Sequence, residues 1–367
     1  MIDGSNGVAP PTGTGVPLVL ANHSTKTPFL GLSFSIWFLN IVTLTLYRFW
    51  GRTRVRQQPW RDTTLNGEPF EYTGTGMELF KGFLIALAVF TIPYLVVVFA
   101  AQLLPPLIGI PLLIAVLLVA YWGIGAAIWL SFRYLASRTT WRGIRFELVG
   151  SAVDYAWTFA RNFLLVIITL GWWWPRMALE VAKPLWGDLF YGSRRIEFDM
   201  EEARKEPLYG SFAIAWIVGV VGYLIIVSAI ALPSPELMRF VLEGDSAERL
   251  ALIYLAGLLA WLIAVMIAQC FYQAAELRAI VRGIRIDQAV FRSGLKWNQI
   301  LWLSFSNALL IVFSLGILIP MAQMRTARAT INHLYGEGTA DIENATQAER
   351  GPNQAEGLAD SLDVGFI

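Results

Sequence analysis

The sequence predicts an all-α integral membrane protein: a polytopic helix bundle with internal repeats, candidate re-entrant segments and short β elements on the cytoplasmic face. Three observations predict it. Of 367 residues, 56% are hydrophobic and only 15% charged, against about 25% charged in a soluble domain. With so few charges, lipid must solvate much of the surface. Seven apolar runs cover roughly 29–47, 79–104, 106–132, 155–175, 208–232, 250–275 and 299–324. The basic, Trp-rich joins between them repeat a common pattern, first seen in Tyr47 to Gly76.

The chain starts with a Gly-, Pro- and Thr-rich stretch, residues 1–28. It lacks the basic start and apolar core of a secretory signal, so a disordered tail is expected. Runs two and three exceed the roughly 20 residues needed to cross hydrocarbon. They are joined by a short uncharged turn at Pro105-Pro106 and read as a helical hairpin. Runs five and six, joined by the mostly acidic stretch Pro233 to Arg249, read as a second hairpin. The fourth run is interrupted at Arg161-Asn162. Its uncharged part, Phe163 to Pro175, is of a length more often re-entrant or interfacial than spanning. Runs one and seven are long enough to span and are left open.

Two repeats organise the chain. Asn162, Thr169, Gly171 and Pro175 in run four recur with the same spacing as Asn307, Ser314, Gly316 and Pro320 in run seven. Asn suits a helix start, and Gly and Pro suit a helix end. A weaker form, Thr43 to Trp50, closes run one. In the joins, Gly67, Gly143 and Gly283 each precede an apolar residue and then an acid: Phe70-Glu71, Phe146-Glu147 and Ile286-Asp287. Gly192 to Glu197 is the same with one more residue. Alternation such as Ile144, Phe146 and Leu148 suits a short strand, and Asn66-Gly67 suits a tight hairpin. The expected organisation is a membrane domain over 29–335, in units of about 29–154 and 155–298 with a partial unit over 299–335. An acidic disordered tail, 336–367, follows.

Charge sets the expected orientation. Arg and Lys concentrate in the joins 48–78, 131–156, 176–207 and 274–298, while 102–106 and 233–249 hold only Arg239 and Arg249. Short cytoplasmic loops collect Lys and Arg. If the fourth run dips in and returns, all four basic joins share the cytoplasmic side. With seven simple crossings they would be split between two faces.

Polar groups inside apolar runs are costly and often functional. Asn162 and Asn307 are therefore candidate ligand-binding residues, set against a structural reading as helix caps. Arg161 reads as an interfacial snorkelling side chain. Gln269 and Gln273 suit hydrogen bonds to a neighbouring helix. The shared Arg-Gly-Ile-Arg segments make Arg142, Arg145, Arg282 and Arg285 candidates for binding an anionic lipid headgroup or a soluble anion. The plain alternative is that they are positive-inside anchors paired with Glu147 and Asp287. Trp50, Trp60, Trp141, Trp172 to Trp174, Trp186 and Trp297 read as an interfacial belt. Gly74-Thr75-Gly76 reads as the start of a helix, because no Lys-Ser/Thr follows to complete a phosphate loop.

One cysteine, Cys270, and two distant histidines, His23 and His333, leave no cysteine-cluster metal site, no catalytic triad and no metalloprotease motif. No catalytic residue, metal or cofactor is expected. The net charge of +1 gives no nucleic-acid signal. Membrane lipids are the expected partners, with a small solute or an anionic headgroup as ligand.

Thr43 to Gly82, Ser137 to Leu148 and the segment Asn162 to Pro175 together resemble the YjgN-like family of bacterial inner-membrane proteins, a domain-of-unknown-function family. The resemblance covers roughly 28–336. It implies a multi-pass protein of the bacterial cytoplasmic membrane and supplies no activity. On the residues alone, small-solute transport or permeation is the first functional reading, since duplicated hairpins with broken helices and membrane-depth polar groups typify transporters. A lipid-binding or membrane-organising protein, and an enzyme acting on a lipid-soluble substrate, are the alternatives.

Overall fold

In the computed structural model, residues 16–23, 27–231, 247–342 and 345–347 are described. Within them the chain leaves an antiparallel β assembly and returns to it five times. Strands β1 (Val16–Pro17) and β2 (Leu20–Asn22) lead to helices α1 (Thr27–Val42) and α2 (Arg48–Asp62), then to β3 (Thr63–Leu65) and β4 (Glu68–Tyr72). A long pair follows. Its first limb is α3 (Gly76–Ala86), a π-helical turn (Leu87–Thr91) and α4 (Ile92–Leu103), and its second is α5 (Pro106–Arg138). The π turn lies just ahead of Pro93, which has no N–H to donate back to the preceding turn.

Strands β5 (Thr139–Trp141) and β6 (Ile144–Leu148) lead to the short pair α6 (Ala152–Ile168) and α7 (Trp174–Gly187). Then come β7 (Leu189–Tyr191), β8 (Arg194–Arg195) and β9 (Glu197–Phe198). The second long pair is α9 (Leu208–Ala231) and α10 (Ala247–Gly283), introduced by the one-turn α8 (Met200–Arg204). Strands β10 (Ile284–Ile286) and β11 (Ala289–Ser293), helices α11 (Trp297–Phe313) and α12 (Ile319–Ile331), and strands β12 (Leu334–Glu337) and β13 (Thr339–Ala340) complete the order. The predicted acidic join at 233–249 falls mostly outside the described residues.

Among the described residues, four helical segments are long and apolar enough to cross a membrane: Gly76–Leu103, Pro106–Arg138, Leu208–Ser228 and Leu252–Gly283. Their side chains are largely exposed, as expected where lipid is the solvent. Each long pair is tied at its β end by an ion pair. Arg138 meets Glu78 at 3.0 Å, with Tyr134 donating to the same carboxylate, and Arg278 meets Glu206 at 2.6 Å. Farther out, the Trp261 indole donates to the Val218 carbonyl and locks α9 to α10.

The all-α expectation with minor β elements needs correction. The joins form a seven-stranded sheet in the order β2-β3-β4-β5-β6-β7-β8 and a four-stranded sheet in the order β12-β11-β10-β9. The sheets adjoin where β8 runs into β9 across Ile196, and again where Leu18, just before β2, lies against Gly336 of β12. We call the result the ring. Each two-residue turn supplies its strands locally: Asn66-Gly67 and Arg142-Gly143 have φ of 51° and 85°, and of 50° and 77°. Two successive left-handed residues match the right-handed twist of a hairpin.

The expected disordered tails also need correction at their inner ends. Val16–Pro17 pairs with Thr339–Ala340, and Leu20–Asn22 is a strand of the seven-stranded sheet. Leu18, Ala340, Ile342 and Ala345 are buried against Trp141, Tyr191 and Ala289 of the ring. Apolar residues in otherwise polar tails carry this packing. The Tyr191 hydroxyl donates to the Trp141 carbonyl, and burial pushes its pKa up to about 12.

Candidate functional site

The three short helical pairs are built on one plan. Each starts and ends on strands that pair with one another: Asn22 with Thr63, Leu148 with Leu189, and Ser293 with Leu334, at the same chain separation in all three. The first and seventh apolar runs therefore turn back as the fourth does. All four basic joins lie on the ring side.

The turns agree atom by atom. Leu44, Leu170 and Leu315 are left-handed, with φ of 50°, 50° and 49°, followed by Thr45, Gly171 and Gly316, also at positive φ. The N–H groups of Thr45, Gly171 and Gly316 donate to the carbonyls of Asn40, Val166 and Ile311, five residues back. This is the bond that satisfies a helix end in a Schellman motif. The hydroxyls of Thr43, Thr169 and Ser314 accept from the N–H groups of Tyr47, Trp173 and Leu318, which open the returning helices. The tip leucines are 84, 79 and 89% exposed.

Asn162 and Asn307 hold these pairs together. They lie well inside α6 and α11, so the expectation that they cap helix starts does not hold. The Asn162 side chain accepts from the Trp173 indole at 2.9 Å and donates to the Thr158 carbonyl. Asn307 donates across to the Ala322 carbonyl and the Thr326 hydroxyl. At the matching place in the first pair, Ile36 packs on Gly51 instead.

At the base of the second tip, a cleft of about 470 Å³ opens between α6, α7 and β8–β9. Its walls carry Arg161, Lys183 and Arg195 opposite Glu180, Asp188 and Glu197. Glu180 is engaged by Arg176 at 2.8 Å and Arg204 at 3.8 Å, and Asp188 by Arg195 at 2.9 Å. Arg161, Lys183 and Glu197 are exposed, and their side chains make no hydrogen bond or ion pair with the described residues. Two cations and one carboxylate thus line the cleft without a side-chain partner among the described residues.

The two Arg-Gly-Ile-Arg segments are not equivalent. Arg142-Gly143 is the turn between β5 and β6, whereas Arg282-Gly283 ends α10 ahead of β10. Arg142 lies over the Trp141 ring and within 4.0 Å of Glu68. The Arg145 N–H donates to the Gln347 side chain. Arg282 meets Glu202 and Arg285 meets Asp199, both in the α8 region. The structure therefore does not gather the four arginines at one site, and their acid partners are not Glu147 or Asp287. Gln269 and Gln273 are exposed on α10. Thr75 caps α3 in a reciprocal capping box with Glu78, so Gly74-Thr75-Gly76 is a helix start. Among the described residues no group of three or more His, Cys, Asp or Glu side chains could hold a metal.

A ring of strands, four membrane-capable helices and three turned-back pairs with apolar tips define a helical membrane protein with a β assembly at one end. The chain belongs to the DUF898 family, described as a bacterial protein of unknown function, whose model matches residues 20–361. The YjgN-like resemblance of the joins agrees with that membership. No curated protein and no solved structure matches the chain.

Proposed function

We propose that this protein engages lipid, holding a phosphate-bearing headgroup at the base of the second short hairpin, and that it organises membrane without catalysis. The observation that carries the reading is the cleft in which the side chains of Arg161, just before the apolar segment of the hairpin, and Lys183, on its returning helix, are left unpaired. Two cations facing a headgroup-level opening suit a phosphate, and Glu197 adds a carboxylate suited to a headgroup amine. The tip leucines support lipid contact. A left-handed Leu costs about 1–2 kcal/mol, which glycine would avoid. Full burial of a Leu returns about 1.5–3 kcal/mol. In hydrocarbon leucine is the better residue, whereas in water the turn would favour glycine.

Native mass spectrometry of the full chain with phosphatidylethanolamine and phosphatidylglycerol tests this. The expected result is a retained phospholipid, lost in R161A/K183A. Glu197→Gln should weaken the ethanolamine lipid alone. Retention unchanged in R161A/K183A would remove the reading.

The transport reading rested on duplicated hairpins, broken helices and membrane-depth polar groups; of those polar groups, Asn162 bonds through both ends of its amide and Asn307 through its NH2 group, each within its own hairpin. We also read the chain as a multi-pass protein of the bacterial cytoplasmic membrane with the ring in the cytoplasm. In this reading the order of short pair, β-hairpin, long pair and β-hairpin is an internal repeat, used twice and then in part. Four basic joins on one assembly support the orientation. A topology reporter fused near Gly187 should signal from the cytoplasm, and a periplasmic signal would refute that placement.

A further inference from the structure

The depth of the short hairpins can be read against the spans they touch. The Trp216 indole donates to the carbonyl of the tip residue Leu170 at 2.8 Å, and Trp172 meets the Trp216 ring edge-on. Trp216 lies about 12 Å along the span that starts at Leu208, a span about 30 Å long at 1.5 Å per residue. In the first hairpin, Arg48 follows the turn and its guanidinium sits over Phe83. Phe83 is about 10 Å into the span that starts at Gly76. Both tips therefore stop short of mid-membrane on the ring side. The third hairpin has the same turn and the same strand separation, with Leu315 as its exposed tip. Arg48, Arg176 and Arg325 lie in the returning helices and restrict deeper entry.

We propose that the three hairpins form a wedge in the ring-side leaflet, and that the protein thereby senses or generates curvature with that leaflet convex. The occupant of the exposed tips is the acyl region of that one leaflet. Continuity with the lipid-exposed spans and the arginines behind each tip both favour it. Ring-side lipids make room for two helices from each hairpin in addition to the four spans, while among the described residues the opposite leaflet meets the spans alone. A body wider in one leaflet is accommodated best where that leaflet is stretched. The inference rests on the lipid-engaging reading of the tips and is independent of the headgroup cleft.

The test is sorting between a giant vesicle and a membrane tube pulled outward from it. The full chain carries a fluorophore on its N-terminus, in phosphatidylethanolamine–phosphatidylglycerol membranes, and an impermeant quencher identifies ring-outward molecules. Ring-outward molecules should be enriched several-fold in the tube, rising as it narrows. Equal density in tube and vesicle at every radius would overturn the proposal. A triple variant, Leu44→Asn, Leu170→Asn and Leu315→Asn, keeps residues that tolerate the left-handed turn while removing the apolar tips. Its folding is checked by circular dichroism and elution. Once folded, it should lose most of the enrichment, and a folded variant that sorts like the native chain would also overturn the wedge. Loss of lipid retention in R161A/K183A with tube sorting intact would reject the headgroup cleft and leave the wedge standing.

Discussion

At the scale of single residues, the tips show how few side chains are needed to turn a helix back in an apolar setting. Thr169 closes one helix by donating to the Leu165 carbonyl and opens the next by accepting from the Trp173 N–H. Asn162 then ties the Trp173 indole to α6. Asn162→Ala leaves that indole N–H without its partner, at a cost of about 1–2 kcal/mol. Asn307→Ala should cost less, since its bonds to Ala322 and Thr326 are 3.3 and 3.1 Å and its Oδ1 has no partner. Thermal unfolding in detergent checks both, and a larger loss for Asn307 would contradict this ranking. The Asn-to-Pro spacing was legible in the sequence because the turn is local. The role of the Asn was not, because its partners sit on the returning helix, where side-chain direction decides contact.

At the scale of elements, the joins show where local reading fails. Gly143 and Gly283 share the letters Arg-Gly-Ile-Arg around them, yet one is the second residue of a strand turn and the other ends a long helix. What separates them is where the preceding helix stops. The α8 region shows the charge side of the same joins. Asp199 accepts from the N–H groups of Glu201 and Glu202 and from Arg285. The bond from the Glu202 N–H leads in holding its carboxyl below the usual range, with Arg285 assisting. A depressed carboxylate stabilises the fold fully above its unfolded pKa of about 3.9, and that contribution is lost as pH falls through the lower folded value. Asp199→Asn should therefore flatten part of the decline in stability on acidification below about pH 4. Denaturation followed across that range measures it, and an unchanged slope would show that Asp199 contributes nothing.

At the scale of the whole molecule, the ring gathers all five helical excursions at one end. The apolar runs, the basic joins and the shortness of the fourth run were set by the sequence alone, because hydropathy, charge and turn chemistry are local properties of the chain. That Leu148 pairs with Leu189, that Leu18 and Ile342 enter one core, and that the first and seventh runs turn back were decided only by tertiary structure. Strand pairing joins residues far apart in the chain, and nothing in a short strand's own composition names its partner. The cleft beside Arg161 belongs to the same class. Arg161 was visible as a charge within an apolar run, but its setting with Lys183 and Glu197 exists only once α7 folds back and β9 closes the base. In this way local chemistry wrote the elements, and long-range pairing fixed which of them form long, membrane-capable pairs and which turn back as short ones.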